Sequence, residues 1–351
     1  MNKGAFLTLV FVFLASVIYS QNLFEAAFKK EAHDSLYYDK LDDFLTAKVF
    51  VAQKSSDFDL NDNLLNKSIE YRSNPNSSFG IGATYKWLSL KVGVGLRDPR
   101  DSIFERPARF DIQAQINTRK LTINFYTGIY KGYYLENSYD LLESWKKGTY
   151  YNRADIQNNT YGISSYYVFN SDRYSNRATF LQNEWQKRTA GSLLAGGNLI
   201  YNSIKADSSL VPVNIIYDTI LNGVKFDRTG YFSLGGNLGY GFTLVLWENW
   251  FFNYSILGGL SLGTTSVFPI DEARDRDFKV GITLLNSMGL GFNSKRFYAA
   301  LNYSNLRALS PLPIENSGLG FNVGKFQFLV AYRFLIKEHK SILPSWMPIE
   351  L

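Results

Sequence analysis

Cysteine is absent from the 351 residues, and histidine occurs only twice, at His33 and His339. Without a thiol there is no disulfide, no thiolate metal site, no cysteine nucleophile and no sulfur to carry a lipid anchor. Two imidazoles leave almost nothing for a metal centre or a general base, so neither metal nor cofactor is expected. Beyond residue 20 no apolar run approaches the roughly 20 residues that a membrane-spanning helix needs. The net charge of +6 is dispersed, and no basic cluster interleaved with aromatics marks a nucleic-acid surface.

What is present is aromatic and small. Phe (27), Tyr (24) and Gly (27) are abundant, while charged residues make up 19%. That balance suits many alternating strands. The N-terminus opens with Met1-Asn2-Lys3 and the apolar run "AFLTLVFVFLASVIYS". A positive start and an apolar core of that length are the pattern of a secretory signal peptide, read as residues 1–20 with cleavage near Ser20.

The stretch "SSFGIGATYKWLSLKVGVGL" carries Phe79, Ile81, Ala83 and Tyr85, then Leu88, Leu90, Val92, Val94 and Leu96, on one side of a strict alternation. Its other side is Gly80, Gly82, Thr84, Ser89, Lys91, Gly93 and Gly95. An exported chain with an apolar face opposite a small, polar one matches a transmembrane barrel, whose strands meet lipid outside and water inside. A secreted sandwich would bury large side chains against each other instead.

Segments near 66–72, 79–86, 88–96, 107–117, 120–134, 161–170, 177–203, 230–247, 250–264, 278–292, 296–305 and 318–335 repeat the pattern. Counting 177–203 as one crossing gives twelve strands; "KVFVAQ" at 48–53 is also strand-like, so fourteen stays open. In the last segment the apolar side changes phase at Gly324-Lys325, which a bulged strand or a hairpin explains. Short turns at Lys86-Trp87, Thr118-Arg119, Glu248-Asn249 and Ser294-Lys295 alternate with long polar links. Outer-membrane barrels have that asymmetry, with short turns on the periplasmic side.

The expected fold is therefore all-β: an antiparallel up-and-down transmembrane barrel of about twelve strands over residues 44–337. It follows a periplasmic or plug segment at 21–43, read mainly as a leader to the first strand, and precedes a tail at 338–351. Lumen-facing polar candidates are Lys91, Arg109, Asp111, Gln113, Gln115, Asn117, Asn124, Tyr126, Lys279 and Arg333. Tyr85, Trp87, Trp247, Trp250, Phe251 and Phe252 cluster at the short turns, where an interface girdle of aromatics is expected.

The succession "YRSNPN", "GIGATYKWLSLKVGVG", "FDIQAQINTRK", "YKGYYLE", "YGISSYYVFN", "QNEWQKRTAGSLLAGG" and "FSLGGNLGYG" resembles a Bacteroidota family of outer-membrane proteins known only as a domain of unknown function, number 4421. The likeness runs over roughly residues 35–337. It implies an outer-membrane barrel and brings no catalytic or binding residue.

A hydrolase built on a barrel wall needs an imidazole near the strand ends. His33 precedes the first strand and His339 follows the last, so no catalytic residue is assigned. The acidic run Asp271, Glu272, Asp275 and Asp277 is interspersed with Arg274 and Arg276 and reads as a solvated loop. The sequence thus points to a non-enzymatic protein of a Gram-negative outer membrane. The expected role is passage of a small solute or lipid, with lipids as partners. The alternative is a structural or assembly component with outer-membrane or periplasmic protein partners; an outer-membrane hydrolase is a less favoured third.

Overall fold

The computed structural model describes residues 33–74, 77–85, 88–96, 109–270 and 273–336. The fifteen strands are β1 (Tyr38–Lys40), β2 (Phe44–Asp62), β3 (Lys67–Ser73), β4 (Ser77–Tyr85), β5 (Leu88–Gly95), β6 (Arg109–Asn117), β7 (Leu121–Leu135), β8 (Tyr151–Val168), β9 (Glu184–Gln186), β10 (Ala190–Lys205), β11 (Phe226–Leu246), β12 (Trp250–Pro269), β13 (Asp275–Asn293), β14 (Phe297–Pro311) and β15 (Ser317–Leu335). Two one-turn helices, α1 (Ser138–Leu141) and α2 (Asn176–Phe180), lie in connections. No helix among the described residues is long and apolar enough to cross a membrane.

All pairings are antiparallel, and β15 returns to pair with β2 from Ser317↔Asp62 to Leu335↔Phe44, closing the barrel. The closed ring contains ten strands, β2, β3, β7, β8 and β10 to β15, while β4, β5 and β6 attach outside that path. This differs from the twelve consecutive crossings expected. β2 is a full strand in its own right. β3 and β4 both pair with β2, at Phe58↔Tyr71 and Gln53↔Ser77 among other positions. They are two halves of one descending path, separated by residues 74–76.

The expected crossing at 177–203 is not one strand. It holds α2, β9 and β10, because "NRATF" is capped by Ser175, whose side chain accepts from the Ala178 amide, and so starts a helical turn.

The strands are too long for one environment. On β12 the outward positions from Trp250 to Leu262 are aromatic or aliphatic apart from Gly258. Twelve residue rises of about 3.3 Å make roughly 40 Å of strand, or about 30 Å of height at a 40° tilt. Over that height the inward side mixes Asn253, Ser255, Gly259 and Ser261 with the buried Phe251 and Leu257. Towards the long loops the relation inverts. On β14 the inward sequence passes from Asn302 and Ser304 to Leu306 and Ala308, while the outward one passes from Leu301 and Tyr303 to Asn305 and Arg307.

The inverted half has an ordinary apolar core. Phe58, Leu60, Ile69, Tyr71, Tyr133, Leu135, Ile200, Phe226 and Phe321 fill it, with Leu210, Ile220 and Leu221 from the 206–225 connection. Outside it Arg72 pairs with Asp59 and Glu70 at 2.7 Å each. This explains the phase change expected at Gly324-Lys325. β15 pairs continuously through those residues with both neighbours and has no bulge. Leu319, Phe321 and Val323 face the outer core, whereas Phe326, Phe328 and Tyr332 face outward in the apolar band. The strand keeps its phase, and the surroundings change.

Candidate functional site

The short-turn end is closed by the connection 169–189 together with residues 33–43. β1 pairs with β9, and the Tyr38 hydroxyl donates to the Ser171 carbonyl at 2.9 Å. This plug is bolted to the barrel wall from inside. Lys48 Nζ donates to the Leu181 carbonyl at 2.8 Å and to Gln182 Oε1 at 2.6 Å. The Tyr298 hydroxyl donates to the Thr179 carbonyl at 2.9 Å. Arg333 Nε donates to the Gln182 carbonyl at 2.8 Å, and its other nitrogens reach Asn293 Oδ1 at 2.9 Å and the Ser294 carbonyl. Every donor of a buried cation that meets a carbonyl here offsets part of the cost of burying it.

Between plug and outer core remains a cavity of about 600 Å³. Phe180 and Leu181 of the plug border it on one side, Tyr126, Leu306 and Val323 on the other. Its polar wall includes Lys54, Lys91, Lys325, Gln115, Asn124 and Asn286. Lys54 and Lys325 are direct cross-strand partners. The Tyr126 hydroxyl is buried without a hydrogen-bond partner among the described residues. No carboxylate stands among the described residues lining this space, and none of the described His, Asp and Glu side chains form a group of three suited to a metal ion.

The cavity adjoins an interruption in the wall. Among the described residues β5 pairs with β4 alone and β6 with β7 alone, so each has one edge without ladder bonds there. Ser89, Lys91, Gly93 and Gly95 of β5 and Gln115 of β6 all border the cavity.

Of the expected lumen residues, Lys91, Gln115, Asn124 and Tyr126 come together in this cavity. Asn124 Nδ2 donates to Ser164 Oγ at 3.3 Å. Asn117 is buried towards the short-turn end. Arg109, Asp111 and Gln113 occupy β6, and their side chains lie outside the described residues. Arg333 faces inward as expected but is engaged by the plug. Lys279 shares the parity of the buried Gly281 and Thr283 but stands at the long-loop rim, in an ion pair with Asp277, beside Asn63 and Glu315.

Among the expected girdle residues, Trp247 and Trp250 are exposed, and Tyr85 and Phe252 are half-buried. Phe251 is a correction: it is 4% exposed and packs inward with Tyr298, Phe50 and Leu329. Its neighbours Trp250 and Phe252 take the outward positions, and strand parity sends Phe251 the other way. Trp87, residues 1–32, the tail from 337, His339, Asp271 and Glu272 lie outside the described residues.

Lys48, Lys54 and Lys325 were not among the expected lumen residues. The signal was available, since Lys48, Phe50, Ala52 and Lys54 share one parity once 44–62 is taken as a strand.

A comparison with curated proteins finds no match. Among solved structures, the outer membrane protease OmpT from Escherichia coli is similar at 10% identity over 84% of this chain and 98% of that one, with a TM-score of 0.37. The toluene transporter TodX from P. putida is similar at 9% identity over 85% of this chain and 91% of that one, with a TM-score of 0.20. At the level of sequence, a family profile matches residues 32–334, close to the span over which the resemblance was read. The chain belongs to the family described as Domain of unknown function (DUF4421).

Proposed function

We propose that this chain is a non-enzymatic outer-membrane barrel that admits lipid-like molecules sideways through its wall. The observation that carries this reading is that the β5 and β6 edges, without ladder bonds among the described residues, both border the cavity between the plug and the apolar outer core. A water-filled pore needs an open axis. Here the axis is filled by an apolar core at the long-loop end and by the plug at the other.

The outer-membrane location is supported by the outward apolar band. Its height of about 30 Å is close to the roughly 25 Å band of such barrels. On the outer side of β5 Leu90, Val92 and Val94 are 63 to 71% exposed, an arrangement suited to acyl chains and costly in water. The long-loop half is polar outside, as a segment standing clear of the bilayer must be.

A second reading, a structural or assembly role with protein partners, is supported by the solid packing of that half. It makes no use of the cavity. The test is a photo-reactive residue at Gly93, on the cavity side of β5, in protein purified without boiling and assayed in lipid nanodiscs and planar bilayers. Covalent lipid adducts and no steady conductance are expected. Steady ohmic conductance without adducts would overturn lateral entry, and co-purifying proteins without adducts would favour assembly.

A further inference from the structure

We infer that the outer surface of β7 to β11 carries a binding site for a lipid headgroup with two separated phosphates, formed by Lys131, Lys205 and Arg228. This rests on the bilayer placement of the apolar band and is independent of lateral entry. The three cations stand in one cross-strand row, because Lys131 pairs with Gln157, Gln157 with Lys205, and Lys205 with Arg228. All three are exposed. Like charges placed directly opposite, as Lys205 and Arg228 are, weaken a sheet, and an anion set between them removes that repulsion.

The rows beneath indicate what kind of anion this is. Down β8, β10 and β11 towards the short turns, the outward rows are Asn159, Ser203 and Gly230, then Tyr161, Tyr201 and Phe232, then Ile163, Leu199 and Leu234. Aliphatic side chain, aromatic ring, small polar group and cation follow one another in the order found from the core of a bilayer to its surface. A lipid lying against the aliphatic rows therefore brings its headgroup to the cations. An acidic protein docked on the row would leave the apolar rows beneath it uncovered. The row lies at the long-loop end, which faces the outer leaflet. A Cβ on Gly230 would have only the Asn202 carbonyl near it, at 4.0 Å, so the level under Arg228 is open.

The three charges are not met by carboxylates among the described residues. Asp155 is held by Arg153 at 2.8 Å, and Arg228 lies over the Phe268 ring at 5.3 Å, which leaves its charge in place. Asp275 and Asp277 take the opposite parity to Arg274 and Arg276 on β13, and Asp277 is engaged by Lys279. Asp271 and Glu272 lie outside the described residues, and Arg274 and Arg276 match them in number. On β2, β3 and β14, by contrast, the outward cations are paired: Arg72 with Asp59 and Glu70, and Arg307 with Asp59.

Lys131 and Arg228 are three strand spacings apart, about 14 Å. One phosphate bridges Lys205 and Arg228, and Lys131 requires a second. Lipid A, a glucosamine disaccharide with a phosphate at each end, is a probe with that spacing.

The full-length protein in detergent is to be offered equal amounts of lipid A with both phosphates and the same lipid with both removed, and retained lipid read by native mass spectrometry. The expected result is about tenfold preference for the phosphorylated form. It should be lost in the triple variant Lys131→Gln, Lys205→Gln, Arg228→Gln, kept in Lys131→Arg, Lys205→Arg, Arg228→Lys, and unchanged in Arg72→Gln, Arg307→Gln. Heat-modifiable mobility on gels checks that each variant is folded.

Equal retention of the two lipids, the result for a row that docks an acidic protein, overturns this inference and leaves the bilayer placement standing. A preference that survives the triple variant, or falls as far in Arg72→Gln, Arg307→Gln, overturns the assignment to this row. Retention of neither lipid overturns the inference and the bilayer placement together.

Discussion

Lys48 and Gln182 join the barrel wall to its plug: the ammonium lies 2.6 Å from the amide oxygen and is 3% exposed. The residues are 134 positions apart, so this contact fixes the 169–189 connection inside the barrel. Lys48→Met keeps the length and removes the charge. It leaves the Leu181 carbonyl and the Gln182 amide oxygen without this donor, a loss of about 1–3 kcal/mol for a buried group. The expected outcome is faster proteolysis within 170–189 while the barrel still shows its folded gel mobility.

Arg333, diagonally across the β2–β15 ladder from Lys48, meets the same plug residue through the Gln182 carbonyl. Removing either cation loosens one shared element, so the two effects are not independent. A double-mutant cycle with Lys48→Met and Arg333→Met is expected to give a coupling of about 0.5–3 kcal/mol in urea-induced release of the plug. Strict additivity would mean that the two residues hold separate parts of it.

Tyr126 lies over Gly162, its direct partner across β7 and β8. A Cβ at Gly162 would sit 2.1 Å from the Tyr126 ring, which cannot be met without moving the ring. Gly162→Val therefore displaces Tyr126 from the cavity wall at a cost of about 1–3 kcal/mol. The check is a lowered thermal midpoint, with Gly162→Val paired to Tyr126→Ala regaining part of the loss.

These positions also show what the sequence makes legible. Alternation at Phe79, Ile81, Leu90 and Val92 announces a barrel wall, because lipid and water impose opposite demands on adjacent residues of a strand. The ring of ten strands, with three more outside it, was harder to read for two reasons. "YRSNPNSSF" breaks one descending path in two, and the apolar side of β15 exchanges at Gly324 although its phase does not. Periodicity reports which residues share a face, and it is silent on whether that face looks at lipid, water or a packed core. The plug was hidden for a related reason: Ala178, Leu181 and Glu184 are buried by contacts far along the chain, so local pattern reads them as another crossing. Lys54 and Lys325 each look like ordinary strand residues, and only the closure of β15 on β2 makes them a pair.

His33 packs on Tyr38 with ring centroids 4.8 Å apart, at the edge of the plug. Burial lowers its pKa below the ordinary 6.5, and Lys40 and Arg119 add to this against the smaller opposing pull of Asp39 and Asp42. The unfolded segment therefore takes up a proton before the folded one does. The contribution of His33 is fully present above about pH 6.5 and declines as pH falls below it, towards the folded-state value. Hydrogen exchange of the β1 and β9 amides, corrected for the intrinsic pH effect, is expected to quicken on acidification through that window. His33→Phe should remove this pH dependence and leave exchange in β11 and β12 unchanged.

The inversion between the two halves gives the most direct test of where the protein resides. Ile256 faces outward near the middle of the apolar stretch of β12, whereas Asn61 is placed outward on β2 beyond it, beside the Asp62 turn. In a bilayer, arginine at the first position must bring a guanidinium to the hydrocarbon midplane, which costs about 2–4 kcal/mol. At the second it meets water and neighbouring Asp59, and the change should stay within about 0.5 kcal/mol. Ile256→Arg is thus expected to lower the yield of folded barrel in phospholipid vesicles, and Asn61→Arg is not. In a soluble barrel both positions would be hydrated and both substitutions nearly silent, so equal refolding of the two variants would remove the lipid from the argument altogether. A selective defect at Ile256 would tie the apolar band to the bilayer, and with it the β5 and β6 edges past which a lipid would have to enter.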